Sequence, residues 1–206
     1  DIVFKNIPCL LTLTNNAKTK YTIEAISLSG INDKNKKWIG INQIKANRYV
    51  EFLLRTNQLP KILEISDKTE ILREKNIGKS RLDFVIDDSV FLEVKTPLII
   101  LPLKKNYITN KDVTFKPQEF TSHGRFFKHL DELSKSLDGN GNKSIMVLFY
   151  MCEADKFVPP SVENEIAKKV YNTIDSGVQM WQVNCKFDKY GVELVDYYDF
   201  MPNEAI

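Results

Sequence analysis

Residues 81–96, RLDFVIDDSVFLEVKT, alternate with the period of a β-strand on both sides of the polar trio Asp87, Asp88 and Ser89. A period of two sends successive side chains to opposite faces, so the stretch reads as a hairpin rather than a helix. Leu82, Phe84 and Ile86 share one face of the first strand, and Val90, Leu92 and Val94 share one face of the second. The other faces carry Arg81, Asp83 and Val85, then Phe91, Glu93 and Lys95. If the three turn-type residues form the loop, position 83 stands opposite 93 and position 81 opposite 95. Directly opposed side chains have Cβ atoms about 4.5–5.5 Å apart, and like charges there are destabilising. Asp83 and Glu93 held that close need a shared proton or a cation.

The rest of the chain predicts what this hairpin packs against. Residues 1–30 read as short strands, VFKNIPCLLTLT and KYTIEAISL, around the polar NNAKTK. A helix is expected near 45–57, with Val50, Leu53 and Leu54 inward, ending before Pro60. ILEISDKTEILREKNIGKS then leads through Gly78 into the hairpin. The following stretch, TPLIILPLKKNYITNKDVTFKPQEF, is a long connection with little periodicity, a kind usually functional or disordered. Thr121 or Ser122 can cap a helix to Leu137, with Phe126, Leu130, Leu133 and Leu137 as its stripe and Gly139 as its stop. SIMVLFYM reads as a strand buried on both faces. Pro159, Pro160 and Ser161 introduce a helix with Val162, Ile166, Val170 and Ile174 inward, ended by Gly177; VQMWQVNCKF and GVELVDYYDF close the chain as two strands. The fold class expected is therefore α/β (α+β), a mixed central sheet flanked by helices and preceded by a β-rich piece.

A chain of 206 residues is long enough for a sizeable core, and a formal net charge of +2 neither demands nor excludes a polyanionic partner. The three cysteines, Cys9, Cys152 and Cys185, show no CxxC spacing and sit in apolar runs, so buried free thiols in a reducing, cytoplasmic setting are expected. No apolar run approaches the roughly 20 residues of a membrane span. The N-terminus has no signal pattern and starts at Asp1 rather than Met, as expected of a processed or trimmed chain.

Aspartate on one strand and Glu-x-Lys on the next suit metal-dependent phosphodiester hydrolysis. Carboxylates hold a hard divalent cation through oxygen. The cation polarises phosphate and acidifies bound water, and Lys95, on the strand face of Glu93, can orient that water or stabilise developing charge. The spacing alone equally suits an exposed hairpin face with cross-strand ion pairs, Asp83 with Lys95 and Arg81 with Glu93. Farther along, Arg125, Lys128 and His129 lie within about one helical turn, either to grip phosphates or as a solvated basic edge. His129 is a poor candidate for a metal ligand, since within its helix no partner sits at ligand spacing except Glu132. Lys104, Lys105, Lys111 and Lys116 make the long connection basic, which suits a phosphate backbone or plain solubility. Trp38, Trp181, Phe149 and Tyr150 read as core.

The stretch GKSRLDFVIDDSVFLEVKTPLI resembles the hallmark segment of the sugar fermentation stimulation protein A family, Gly-x-Ser-Arg-x-Asp-Phe, a short hairpin, then Glu-Val-Lys. Gly78, Ser80, Arg81, Asp83, Phe84, Glu93, Val94 and Lys95 fill those positions, and Glu74 matches a glutamate a few residues upstream. WIGINQIKANRYVEFLL is similar to the family's Trp-Val-Gly-Val-Asn segment and its Asn-Arg helix, with Asn42, Asn47 and Arg48 corresponding. RFFKHLDEL resembles its Arg-Gly-x-Lys-His-Leu-x-Glu-Leu helix, with Arg125, Lys128, His129, Leu130, Glu132 and Leu133 in place. The resemblance runs from about residue 7 to the C-terminus.

It implies a PD-(D/E)xK, restriction-endonuclease-like domain over residues 41–206, preceded over 1–40 by a partial OB-like β segment. The implied activity is a Mg²⁺-dependent DNA/RNA nuclease, with Mn²⁺ able to substitute. Glu74, Asp83, Glu93 and Lys95 would be catalytic, with the three carboxylates on the metal. Arg81, Lys104, Lys105, Arg125, Lys128 and His129 would contact nucleic acid, supported by Asn47, Arg48 and Ser80. No membrane partner is expected, and cutting both strands of a duplex would favour a homodimer. A scaffold that binds DNA or RNA without cutting is the alternative. The chain departs from the family in its short barrel, in FKPQEFTSHG where the family has Phe-Pro-Asp-Ala, and in Phe126 where it has glycine.

Overall fold

The computed structural model describes residues 2–3, 5–14, 18–77, 80–97, 103, 105–115, 123–138, 141–156 and 165–200. Gly78, Lys104, Lys116, Glu119, Thr121, Ser122, Gly139, Pro159, Pro160, Ser161 and Val162 lie outside the described residues, as do the side chains of Ser80, Lys105 and His123. In chain order the strands are β1 (Ile2–Val3), β2 (Cys9–Leu13), β3 (Tyr21–Ile26), β4 (Ile39–Gly40), β5 (Ile71–Ile77), β6 (Ser80–Ile86), β7 (Val90–Lys95), β8 (Thr114–Phe115), β9 (Lys143–Tyr150), β10 (Gln179–Phe187) and β11 (Val192–Asp199). The helices are α1 (Ala46–Arg55), α2 (His123–Lys135) and α3 (Glu165–Asp175).

Six strands form the central sheet in the order β11-β10-β9-β7-β6-β5. β7, β9 and β10 run parallel, whereas β5, β6 and β7 form an antiparallel meander and β11 returns antiparallel on β10. Parallel neighbours need a crossover connection. The segment between β7 and β9 contains α2, and that between β9 and β10 contains α3. The helices sandwich the sheet. Val50, Leu53 and Leu54 of α1 pack with Phe84, Leu92, Val147 and Val183 on one face. Leu130 and Leu133 of α2 join Val170 and Ile174 of α3 against Val85, Phe91, Met146 and Met180 on the other. Burying each such aliphatic side chain contributes about 1.5–3 kcal/mol. β9 lies between these layers, which is why its sequence is apolar without alternation.

β2, β3 and β4 form a separate three-stranded antiparallel sheet. It presses on the main body at Gly40, whose N–H donates to the Met151 carbonyl at 2.7 Å. A Cβ at Gly40 would stand 2.7 Å from Met151 Cβ and from Phe187, so only glycine fits the approach. The connection after β7 is anchored by Tyr107, a buried ring whose hydroxyl accepts from the Glu153 N–H at 2.8 Å, and by β8, which pairs with β1. Burial pushes the Cys152 and Cys185 thiols up to about 12. Cys9, in contrast, is exposed at the start of β2, correcting the expectation of three buried thiols. It opens a hairpin strand whose residues, Leu11 and Leu13 among them, are mostly exposed. No helix among the described residues is long and apolar enough to cross a membrane.

Candidate metal centre and its basic flanks

The hairpin forms in the expected register. Ile86 pairs with Val90, Val85 with Phe91 and Phe84 with Leu92. Asp87 and Asp88 adopt left-handed φ values of 47° and 52°, a conformation that Asp tolerates because its short side chain can bond locally. On the other side of β6, Phe84 pairs with Arg73 and Leu82 with Lys75. One row of residues therefore runs Glu74, Asp83, Glu93 across three strands, and neither ladder pairs in it. Glu74 has φ 55°, so β5 is distorted there too.

Side chains replace the missing backbone bonds. Asp83 Oδ2 accepts from the Val94 N–H at 2.8 Å, and Oδ1 accepts from Asn47 Nδ2 at 2.7 Å. The Asp83 N–H reaches Glu93 Oε2 at 3.4 Å. The alternation slips where the ladder opens. Leu82, expected beside Phe84 and Ile86, packs instead with Val85 and Phe91 on the α2–α3 face.

The expected ion pairs are replaced by others. Lys95 Nζ lies 2.5 Å from Glu93 Oε1 on its own strand rather than pairing with Asp83. Arg81 pairs with Glu74 of β5 rather than with Glu93, and both partners are more than half exposed. Glu93 is 3% exposed. From α2, His129 Nδ1 comes within 2.7 Å of Glu93 Oε1, and the His129 side chain is 14% exposed. Burial pushes the Glu93 carboxyl up, but the imidazole contact and the Lys95 ammonium together outweigh it and leave it below the ordinary value. Asp83 goes the other way. Burial, and then the Glu93 charge beside it, raise its carboxyl despite the bonds from Val94 and Asn47.

These groups line a polar cavity of about 350 Å³. α1 contributes Ala46 and Asn47 on one side, and α2 contributes Arg125 and His129 on the other. Glu74 and Arg81 stand on its lining as well. Arg48 and Lys128 are exposed and do not line it. Gln43 and Thr96 complete the wall, with Gln43 Nε2 donating to the Thr96 carbonyl at 3.2 Å and tying the start of α1 to the end of β7. Gln43 carries no sequence signal beyond its place just before the Asn-Arg helix.

The donor set fits a hard divalent cation. Two carboxylates converge from adjacent strands, and the His129 Nδ1 atom is buried without an aligned hydrogen bond. Among the described residues no three His, Cys, Asp or Glu side chains already form a cage.

A six-stranded mixed sheet, opened at a carboxylate row and flanked by α1 and α2, carries the site. Residues 44–191 match the family model described as the sugar fermentation stimulation protein RE domain, and the chain belongs to that family. A sugar fermentation stimulation protein homolog of Maridesulfovibrio salexigens is 29% identical over 180 residues, covering 86% of this chain and 69% of the relative. A Clostridium perfringens homolog is 28% identical over 188 residues, covering 89% and 73%. The structure of Pyrococcus furiosus SfsA in complex with Ca²⁺ shares the fold, with a TM-score of 0.64 and 19% identity over 91% of this chain and 74% of that one.

Proposed function

We propose that this protein is a metal-dependent nuclease that hydrolyses phosphodiester bonds of DNA or RNA. The observation that carries the reading is the opened ladder. A sheet leaves backbone groups unpaired and packs two carboxylates side by side only at a cost, and here Asp83 and Glu93 converge there with the Lys95 ammonium beside them. The Ca²⁺ in the Pyrococcus furiosus SfsA structure supports a divalent cation in this fold.

Asp83 and Glu93 would hold the cation, with Glu74 joining through water once released by Arg81. When bound, Mg²⁺ or Mn²⁺ supplies Lewis-acid polarisation of phosphate and a more acidic water. Asn47 and the Val94 N–H fix the Asp83 carboxylate. Lys95 orients the attacking water or stabilises charge developing on the phosphate oxygens. Arg81 and Arg125, exposed at the cavity, receive the flanking phosphates. The same proposal divides the chain at residue 40, with the three-stranded sheet as an OB-like segment and the nuclease part following.

The test is cleavage of labelled single- and double-stranded DNA and RNA with Mg²⁺, Mn²⁺ or chelator. Lys95→Ala and Asp83→Ala are expected to lose about a hundredfold or more in rate. Cutting that survives both substitutions sinks the reading. Binding without cutting on every substrate would make the chain a nucleic-acid-binding regulatory module on the same scaffold.

A further inference from the structure

His129 is not explained by a role at the phosphates. Its neighbours Arg125 and Lys128 on α2 are exposed, whereas its ring is turned in toward Glu93. Lys95 stands 2.5 Å from the same Oε1 oxygen, so the imidazole is the second group drawn to one carboxylate oxygen. Nδ1 is buried and 2.7 Å from Oε1, yet no aligned bond joins them. Two donor atoms on adjacent positions of one cation, each about 2.1 Å from it, stand roughly 3 Å apart. Nδ1 and Oε1 are already close to that arrangement.

We propose that His129 Nδ1 is a direct ligand of the same cation held by Glu93 and Asp83, and that this nitrogen makes the site prefer Mn²⁺ over Mg²⁺ and Ca²⁺. The inference rests on the metal-dependent reading above and sharpens it. Magnesium and calcium take oxygen ligands, whereas imidazole suits the transition metals. Among the described residues no three-ligand cage is preformed, so binding would need these side chains to shift onto the ion. With a cation on Glu93, the Lys95 ammonium would be free to act on the substrate.

The test needs no nucleic acid. Mn²⁺ binding to the full chain is followed by loss of the free-ion EPR signal, with Mg²⁺ and Ca²⁺ as competitors, in the unaltered protein, His129→Gln and His129→Ala. Removing the nitrogen is expected to weaken Mn²⁺ by about tenfold or more while leaving Mg²⁺ and Ca²⁺ nearly unchanged. Pulsed EPR of Mn²⁺ on the unaltered protein should show hyperfine coupling to an imidazole ¹⁴N, which keeps the question decidable if the variants fold poorly. Absence of that coupling, or equal weakening of all three ions, overturns the proposal and leaves His129 as a residue that positions Glu93. An unaltered protein that binds none of the three ions overturns the metal-dependent reading itself.

Discussion

The Gln182–Asn184 cluster on β10 and the Asp83–Glu93 cluster between β6 and β7 are both polar groups buried in one sheet, but only the first is closed. Asn184 Nδ2 donates to the Ala154 carbonyl at 2.9 Å and to Asp196 Oδ1 at 2.6 Å, while its Oδ1 accepts from Gln182 Nε2 at 3.0 Å. Gln182 also reaches the Asp155 carbonyl, and the Tyr198 hydroxyl caps Asp196 Oδ2 at 2.7 Å. A β-bulge beside Asn184 sets Asp196 directly across from it. At the other cluster the ladder is open, two carboxylates face each other and an imidazole nitrogen has no aligned partner. Satisfied buried networks fix a structure, whereas an unsatisfied one is held in place by its surroundings and is available to a ligand.

The contrast breaks first at Asn184. Asn184→Ala leaves the Ala154 carbonyl, Asp196 and Gln182 short of partners in a buried site. It should cost about 2–4 kcal/mol and lower the melting temperature by roughly 5–15 °C, without altering metal affinity. A melting temperature within a degree of the unaltered protein would show that the closed cluster does not stabilise the fold.

Asp83→Asn should act in the opposite direction on stability. The folded-state Asp83 carboxyl titrates above its ordinary value, because of burial and then the Glu93 charge. Its contribution to stability is therefore present below the unfolded value near 3.8 and is lost as pH rises through the folded one. With chelator present, the asparagine variant should melt higher than the unaltered protein at pH 7, and the gap should vanish toward about pH 4. The same variant should bind metal poorly, the pattern of a site that trades stability for function. Lower stability of the variant at pH 7 would mean that the carboxylate pair is not strained in the metal-free fold.

How far the sequence foretold these two regions depends on the range of the interaction. The inward residues of α1, the strand of residues 143–150 and the hairpin register were legible because each rests on local periodicity or loop length. β5 was not recognised as a strand. Its ILREKNI run carries charge at three successive positions, and Glu74 in the left-handed region breaks the alternation that marks an interior strand. The slip of Leu82 follows from the same opened row. The contact of His129 with Glu93 joins α2 to β7 across 36 residues, so ligand spacing within the helix could not reveal it. Asn184 and Asp196 read as strand residues, and nothing local marks them as partners.

The finest distinction lies at the rim of the closed cluster. Tyr198→Phe removes one O–H donor to Asp196 and nothing else that packs, so it should cost about 1 kcal/mol at neutral pH. The hydrogen bond to Asp196, then burial, push the Tyr198 phenol up to about 12. A raised acid contributes stability below its unfolded value near 10 and loses it as pH climbs to the folded one. The difference between the two proteins should thus stay constant up to about pH 10 and close by about pH 12 in chemical-denaturation curves taken across that range. A gap that persists unchanged at the alkaline end would assign the lost stability to packing of the ring rather than to the bond. The closed cluster would then end at Asp196, with its second carboxylate oxygen left to solvent.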